Sequence, residues 1–269
     1  MKNNQLMIYG AYGYAGELMV REAVAQRLRP IIAGRDAEKL KPIATELSLE
    51  CRAFGVRNTG SNLQDISVLL NCAGPFSATA EPLARACLAQ QIHYLDITGE
   101  IDIFRKCHAL DEEARQQNVL ILPGAGTDIV PTDCLAAMLK EKLPVATRID
   151  LALSFGTNPS IGTVNTMIES FGKGGLIREG GMLKVVSNAF QMRKIPFQNK
   201  PQWAMTIPWG GCFHLRNIYR SSRWRSLYGY AENEHLYDTI DQPGQRDSEY
   251  PVRAEDHEAS GWLADEKRA

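Results

Sequence analysis

The feature that most constrains this chain is the loop Gly10-Ala11-Tyr12-Gly13-Tyr14-Ala15-Gly16. It follows the apolar run Leu6-Met7-Ile8-Tyr9 directly and leads into a stretch with helical apolar spacing. Glycines allow a tight turn and a close backbone approach to a pyrophosphate, and the helix that follows offers unbonded amides and positive partial charge. The G-x-x-G-x-x-G spacing departs from the commoner G-x-G-x-x-G. Its weight comes from the strand–turn–helix setting, against the plainer reading of a tight turn. The loop names Gly10, Tyr12, Gly13, Tyr14, Ala15 and Gly16 as cofactor-binding candidates.

The rest of the first half repeats this alternation. Short apolar runs at 30–33, 68–71, 93–96 and 119–122 read as further strands. Helical patterns fall at 17–28, within 36–47, and at 81–90, 102–117 and 131–143. Pro42 places the start of the second helix near Lys41, because proline suits a first turn. Strand–helix alternation predicts an α/β fold, a Rossmann-type doubly wound parallel sheet, over residues 1–145. After about residue 147 the texture changes. A strand at 148–155, a helix at 162–171 and a loop-rich stretch with Gly172, Gly174, Gly175, Gly180 and Gly181 predict a smaller α/β (α+β) domain, partial, for substrate or oligomerisation, at 146–210. Residues 211–269 read as an atypical, poorly ordered tail. Between Asp241 and Ala269 stand eight acidic and four basic side chains and little aliphatic bulk, too little to offset the entropy of ordering.

Charge narrows the function. Thirty basic and 31 acidic side chains leave a net charge of -1, which argues against nucleic-acid binding by counterion release and against a polybasic membrane surface. No apolar run approaches the ~18–20 residues of a membrane helix, and the N-terminal apolar run is too short for a secretory signal. The six cysteines form no C-x-x-C pair and read as buried thiols. The expectation is a cytoplasmic protein that acts on a small molecule.

The second strand ends in Ala33-Gly34-Arg35-Asp36. An NAD-binding unit places an acidic residue near this strand end for the ribose 2′-hydroxyl. Here Gly34 leaves room and Arg35 brings a fixed cationic fork suited to a 2′-phosphate, which favours NADP. Asp36 keeps open the alternative of a ribose contact, and Arg35 that of a solvated side chain. Asn71-Cys72-Ala73-Gly74-Pro75-Phe76 and Pro123-Gly124-Ala125-Gly126-Thr127-Asp128 are loops at strand C-termini, where ligands sit in such sheets. Ala73, Gly74 and Pro75 join the cofactor candidates, and Cys72 reads as a packed thiol. His93, Asp96, Glu100 and Asp128 are candidate proton donors. Their plainer readings are a structural histidine, a turn-capping aspartate, a solvated glutamate and a helix cap. Lys173 and Arg178 could meet an anionic substrate or sit in a solvated loop. No tyrosine has a lysine four positions later, and neither G-x-S-x-G nor H-E-x-x-H occurs. Cys107 and His108 are adjacent and diverge on a helix, so no metal site is expected.

The glycine loop, Ala33-Gly34-Arg35, the block from Asn71 to Phe76, His93-Tyr94-Leu95-Asp96-Ile97-Thr98-Gly99-Glu100 and the block from Pro123 to Asp128 occur in that order. The series resembles the saccharopine dehydrogenase-like oxidoreductases, including their trans-acting enoyl reductase relatives, over about residues 5–210. The resemblance implies a Rossmann domain followed by an α/β domain, and hydride transfer between a nicotinamide and a C=N or C=C bond. It matches Gly10, Gly13 and Gly16 to the nucleotide loop, Arg35 to a 2′-phosphate reader, and Ala73, Gly74 and Pro75 to the cofactor-side loop. Asp96 and Glu100 fall in its cleft motif, and a homodimer is its implied assembly. The pattern stops after Trp209-Gly210. That break sets up a second reading, a catalytically impaired NADP-binding remnant left by truncation or frameshift.

Overall fold

The computed structural model describes residues 5–155, 164, 168, 174–197, 201–210 and 223–230. Two sheets organise them. The first holds β1 (Leu6–Tyr9), β2 (Ile31–Gly34), β3 (Cys51–Ala53), β4 (Val68–Asn71), β5 (His93–Asp96) and β6 (Ile121–Leu122). Its order is β3-β2-β1-β4-β5-β6, with every neighbouring pair parallel. This is the doubly wound dinucleotide-binding order, whose strand sequence reverses beside β1.

Successive residues of β1 point to opposite faces. Met7 and Tyr9 pack with Leu83 and Cys87 of α3 (Phe76–Ala89) and with Ile103 of α4 (Ile101–His108). Ile8 packs with Val20 and Ala23 of α1 (Tyr14–Ala25) and Leu40 and Ile43 of α2 (Ala37–Leu47). Each fully buried Leu or Ile stabilises the fold by about 1.5–3 kcal/mol, so the two faces hold the sheet from both sides.

Several boundaries differ from the sequence reading. Helix α1 starts at Tyr14, and its buried face is Gly16, Val20 and Ala23, with Leu18 and Leu28 outside. Gly16 sets that rotation, because only a residue without a side chain fits under the loop. Helix α2 begins at Ala37, ahead of Pro42, because the Asp36 carboxylate accepts from the amides of Glu38 and Lys39 and fixes the first turn. Pro42 removes only its own bond to a carbonyl four residues back. The pattern at 102–117 is two helices, α4 and α5 (Asp111–Gln116), separated at Ala109 and Leu110 with no Gly or Pro to mark the break. Strand β3 has no apolar signature and pairs at the sheet edge.

Helix α6 (Val130–Lys142) leads to the second sheet, of β7 (Arg148–Phe155), β8 (Gly175–Glu179), β9 (Met182–Val186), β10 (Met192–Pro196), β11 (Pro201–Thr206) and β12 (Arg223–Tyr230). The stretch expected as glycine-rich loop contains a hairpin. Gly180 and Gly181, both at positive φ, turn β8 into β9 with Glu179 opposite Met182, the backbone a two-residue hairpin loop requires. Arg178 is a buried strand residue, 1% exposed, and its guanidinium donates to the Gly181 carbonyl of the hairpin. Strand β12 comes from the stretch read as a poorly ordered tail. It pairs in parallel with β7 along its whole length and antiparallel with β11 and β8. The helix expected at 162–171, Lys173, Cys212 and the remainder of the tail lie outside the described residues, apart from positions 164 and 168. Of the cysteines, Cys72, Cys87 and Cys107 are buried, and Cys51 and Cys134 are exposed. Among the described residues no helix is long and apolar enough to cross a membrane.

Candidate functional site

The loops at the C-terminal ends of β1, β2, β4, β5 and β6 form one rim. Gly10, at φ +85°, turns the chain out of β1, and its amide donates to Ala33 O at 2.7 Å. A Cβ on Gly10 would lie 2.7 Å from the Ala73 amide nitrogen, so this turn sits directly against the loop after β4. A Cβ on Gly16 would overlap the Gly10 carbonyl oxygen, so α1 can start this close only without a side chain there. Gly13 precedes the helix in extended conformation, and no side chain caps α1. The amides of its first turn, which a helix cannot bond internally, thus face the rim uncapped. Tyr14 and Ala15 belong to that turn, with Tyr14 74% exposed. The cradle fits a bound pyrophosphate.

At the end of β2 the structure alters one expectation. The room left by Gly34 is taken by Tyr12, since a Cβ on Gly34 would lie 2.6 Å from Tyr12 Cε1. Arg35 is exposed, and among the described residues it pairs with no carboxylate. Asp36 caps α2 through Oδ1, and its Oδ2 lies 3.8 Å from Lys39 Nζ.

Beyond β4, Ala73, Gly74 and Pro75 line the loop, with a cis bond between Gly74 and Pro75. A Cβ on Gly74 would meet nothing within 4 Å, so this side of the loop is open. Behind it a buried polar chain fixes the loop, one the sequence reading missed. Asn71 Oδ1 accepts from Ala73 N at 3.0 Å, Asn71 Nδ2 donates to Thr79 Oγ1 and to the Tyr94 hydroxyl, and Tyr94 donates to Asp96 Oδ2 at 2.8 Å. Only the place of Asn71 at the strand end hinted at it. Cys72 is a packed thiol, pushed up to about 12 by burial and secondarily by Asp96.

The four candidate proton donors separate. His93 stands at the N-terminal end of β5, away from the rim, and its Nδ1 accepts from Leu120 N at 3.0 Å. Four strand residues put it roughly 10 Å from the far end, so it is structural. Asp96 is fully buried, and Oδ1 accepts from the amides of Thr98 and Gly124 at 3.0 and 2.9 Å. Burial raises its pKa more than these bonds lower it. It ties the loops after β5 and β6 together and cannot reach a substrate. Glu100 is half-buried at the N-terminus of α4, its amide donating to Thr98 Oγ1 at 3.1 Å. Asp128 differs from all three. Its pKa is raised by burial, no donor among the described residues bonds its carboxylate, and it does not cap α6, whose cap residue Ile129 makes no side-chain bond.

Trp209 is the other residue that sequence reasoning missed. It follows β11, in a segment contributed by the second sheet, yet its ring lies 3.4 Å from where a Cβ on Gly99 would stand. Its Nε1 donates to Asp128 O at 3.1 Å, and Gly210 N donates to Gly99 O at 3.0 Å. The second domain is thereby pinned to the loops that carry Glu100 and Asp128.

Comparison with known proteins agrees with this geometry. Residues 6–122 match the family described as saccharopine dehydrogenase NADP binding domain. The match spans all six strands of the first sheet. The first sheet and its rim are thus a nicotinamide dinucleotide-binding domain. The chain is 26% identical over 231 residues to the saccharopine dehydrogenase-like oxidoreductase of Rattus norvegicus, covering 75% of this chain and 53% of the rat protein. It is 25% identical over 233 residues to the Homo sapiens protein of the same name, with the same coverage of 75% and 53%. The matched region thus spans about half the length of these relatives. Among solved structures, saccharopine dehydrogenase (L-Glu forming) from Saccharomyces cerevisiae superposes with a TM-score of 0.61 at 11% identity, covering 84% of this chain and 55% of the yeast one. That likeness is one of fold.

Proposed function

We propose that the protein is an NADP-dependent oxidoreductase of the saccharopine dehydrogenase-like type, acting on a C=N or C=C bond of a small substrate. The observation that carries the NADP preference is the pairing of an unclaimed Arg35 with an Asp36 already bound to α2. A planar guanidinium suits a 2′-phosphate, and the neighbouring carboxylate is turned to the first turn of α2. When bound, the nicotinamide supplies a hydride acceptor or donor. The chain's own residues do the rest. The turn at Gly10 and the N-terminus of α1 hold the pyrophosphate. The loop from Ala73 to Pro75, backed by Asn71 and Thr79, borders the cofactor's reactive end. Trp209 packs on the loops after β5 and β6 at Gly99 and Asp128.

Reduction of an imine or enoyl bond also requires a proton. Asp128 is the residue we assign to deliver it, because burial favours its protonated form and nothing else among the described residues claims its carboxyl. The test is fluorescence titration of the purified chain with NADPH and NADH, followed by turnover on imine and enoyl substrates. NADPH binding at least tenfold tighter than NADH, lost on Arg35→Ala, is the expected result. Equal affinity for both cofactors would overturn the NADP reading. Tight NADPH binding with no turnover of either substrate class would favour the impaired remnant.

A further inference from the structure

The buried hydrogen bonds behind the rim form one continuous line, and the inference drawn from it rests on the reading that NADPH fills that rim. The line runs across the sheet, because Tyr9, Asn71 and Asp96 are register partners on β1, β4 and β5. One end holds the cofactor-side loop. Ala73 N donates to Asn71 Oδ1 at 3.0 Å, Ala73 O accepts from Thr79 Oγ1 at 2.6 Å, and the Gly10 turn sits against the same residue. The other end holds the loops after β5 and β6. Asp96 Oδ1 accepts from the amides of Thr98 and Gly124, and its backbone carbonyl from Ala125 N at 2.7 Å. The Tyr94 hydroxyl joins the two ends, accepting from Asn71 Nδ2 at 3.1 Å and donating to Asp96 Oδ2 at 2.8 Å. Asn71, Tyr94 and Asp96 are each 0% exposed, so solvent does not compete for these bonds.

The polarity of the line is fixed. The Ala73 amide can only donate, so Asn71 turns its oxygen there and its NH2 group toward Tyr94. Tyr94 has one hydrogen, and it goes to Asp96. Two inter-strand gaps, roughly 10 Å, separate the ends. We propose that Tyr94 is a positioning residue, the link through which a dinucleotide seated on the Ala73 loop orders the loops that carry Glu100 and Asp128. Tyr94 lies behind the rim and acts through its two neighbours. With Ala73 held by a bound cofactor, Asn71, Tyr94 and Asp96 are held in turn, and the Thr98 and Gly124 amides open less often. Cofactor and proton donor are thereby brought into register by the binding event itself.

The experiment is amide hydrogen exchange, resolved by NMR, with and without saturating NADPH. It compares wild type, Tyr94→Phe, Asn71→Asp, Asp96→Asn and the double variant Asn71→Asp with Asp96→Asn. Fluorescence titration gives the NADPH affinity of each, and circular dichroism checks folding. In wild type, NADPH is expected to slow exchange at Ala73, Thr98 and Gly124 at least about fivefold. Tyr94→Phe keeps the ring and loses the link. It should bind NADPH within about threefold of wild type and protect Ala73, with an effect under about twofold at Thr98 and Gly124. Asp96→Asn alone gives Tyr94 two donors and no acceptor, and Asn71→Asp alone gives it two acceptors and no donor, so both should uncouple the ends. The double variant keeps the charge, reverses both bonds at Tyr94 and should restore the protection. A residue that merely props the fold gives no such rescue of a cofactor-dependent readout.

The inference is overturned if NADPH protects Ala73 but not Thr98 and Gly124 in wild type, or if Tyr94→Phe retains the protection. A folded Tyr94→Phe that no longer binds NADPH, or a folded double variant that stays uncoupled, overturns it as well. If the double variant does not fold, Tyr94→Phe decides. A folded wild-type chain that binds no NADPH would instead defeat the cofactor reading, and this inference with it.

Discussion

Asp96 gives the sharpest test of how the rim is held. Asp96→Ala removes the acceptor for two buried amides, of Thr98 and Gly124, and for the Tyr94 hydroxyl. Each orphaned buried amide costs about 1–3 kcal/mol and the hydroxyl about 1 more, so the variant should lose about 3–7 kcal/mol. Asp96→Asn keeps an oxygen for the two amides and turns its amide toward Tyr94. It also removes a charge that burial disfavours, since the folded-state pKa lies above the ordinary carboxylate value. That sign fixes the pH dependence. Below the unfolded pKa of about 4 both states hold the proton and ionisation costs nothing. As the pH climbs through the raised folded pKa, the wild type loses stability relative to Asn. Urea unfolding followed by circular dichroism from pH 3 to pH 8 measures both effects, the change beginning at about pH 4. At pH 7, Asp96→Asn should lie within about 1–2 kcal/mol of wild type. An Asn variant as damaged as Ala, or a wild-type-to-Asn difference that does not change with pH, would refute the reasoning.

Other outcomes rest on the same geometry. Gly16→Ala should abolish binding of both cofactors by titration, because its methyl would overlap the Gly10 carbonyl. Asp128→Asn should leave NADPH affinity intact and slow reduction about 100-fold or more, within the usual range for a general acid. In the wild type, reduction should fall as pH rises through the raised pKa of Asp128, and that limb of the pH profile should vanish in the Asn variant. Trp209→Ala should lower the unfolding midpoint by the equivalent of about 1–3 kcal/mol and raise proteolytic cleavage between the sheets, without a change in NADPH selectivity.

The first domain was largely legible because its information is local. The exact bounds of β1, β4 and β5 follow from short apolar runs closed by turn residues, and the glycine loop announces the first crossover. The errors arose where a distant contact overrides a local signal. Pro42 suggested a late start for α2, but the Asp36 cap holds the first turn. The helical apolar set in α1 pointed to Leu18, but Gly16 beneath the Gly10 carbonyl rotates the helix. His93 looked like a rim residue because strand ends were treated alike, whereas only the C-terminal end carries ligands in a parallel sheet. Gly34 read as open space, since nothing in the sequence says that Tyr12 folds over it. Burial raises the pKa of both Asp96 and Asp128, yet three donors bond the first carboxylate and none among the described residues the second, a difference the sequence does not carry. Trp209, 81 positions from Asp128, leaves no local trace at all.

The place of β12 bears on the order in which the molecule assembles. All six strands of the first sheet lie within 6–122, so that sheet can close while the later chain is still being synthesised. The second sheet cannot do so. Its central strand is the last one described, and Arg223 pairs with Arg148 across 75 positions of chain. Until β12 arrives, the edges of β7 and β11 that it joins present unpaired backbone groups, the kind of surface on which strands of neighbouring chains pair wrongly. Non-local pairing of this kind is also slow to form. A nascent chain therefore passes through a stage in which the nucleotide-binding half is finished and the half that holds Trp209 over it is still open to misassembly.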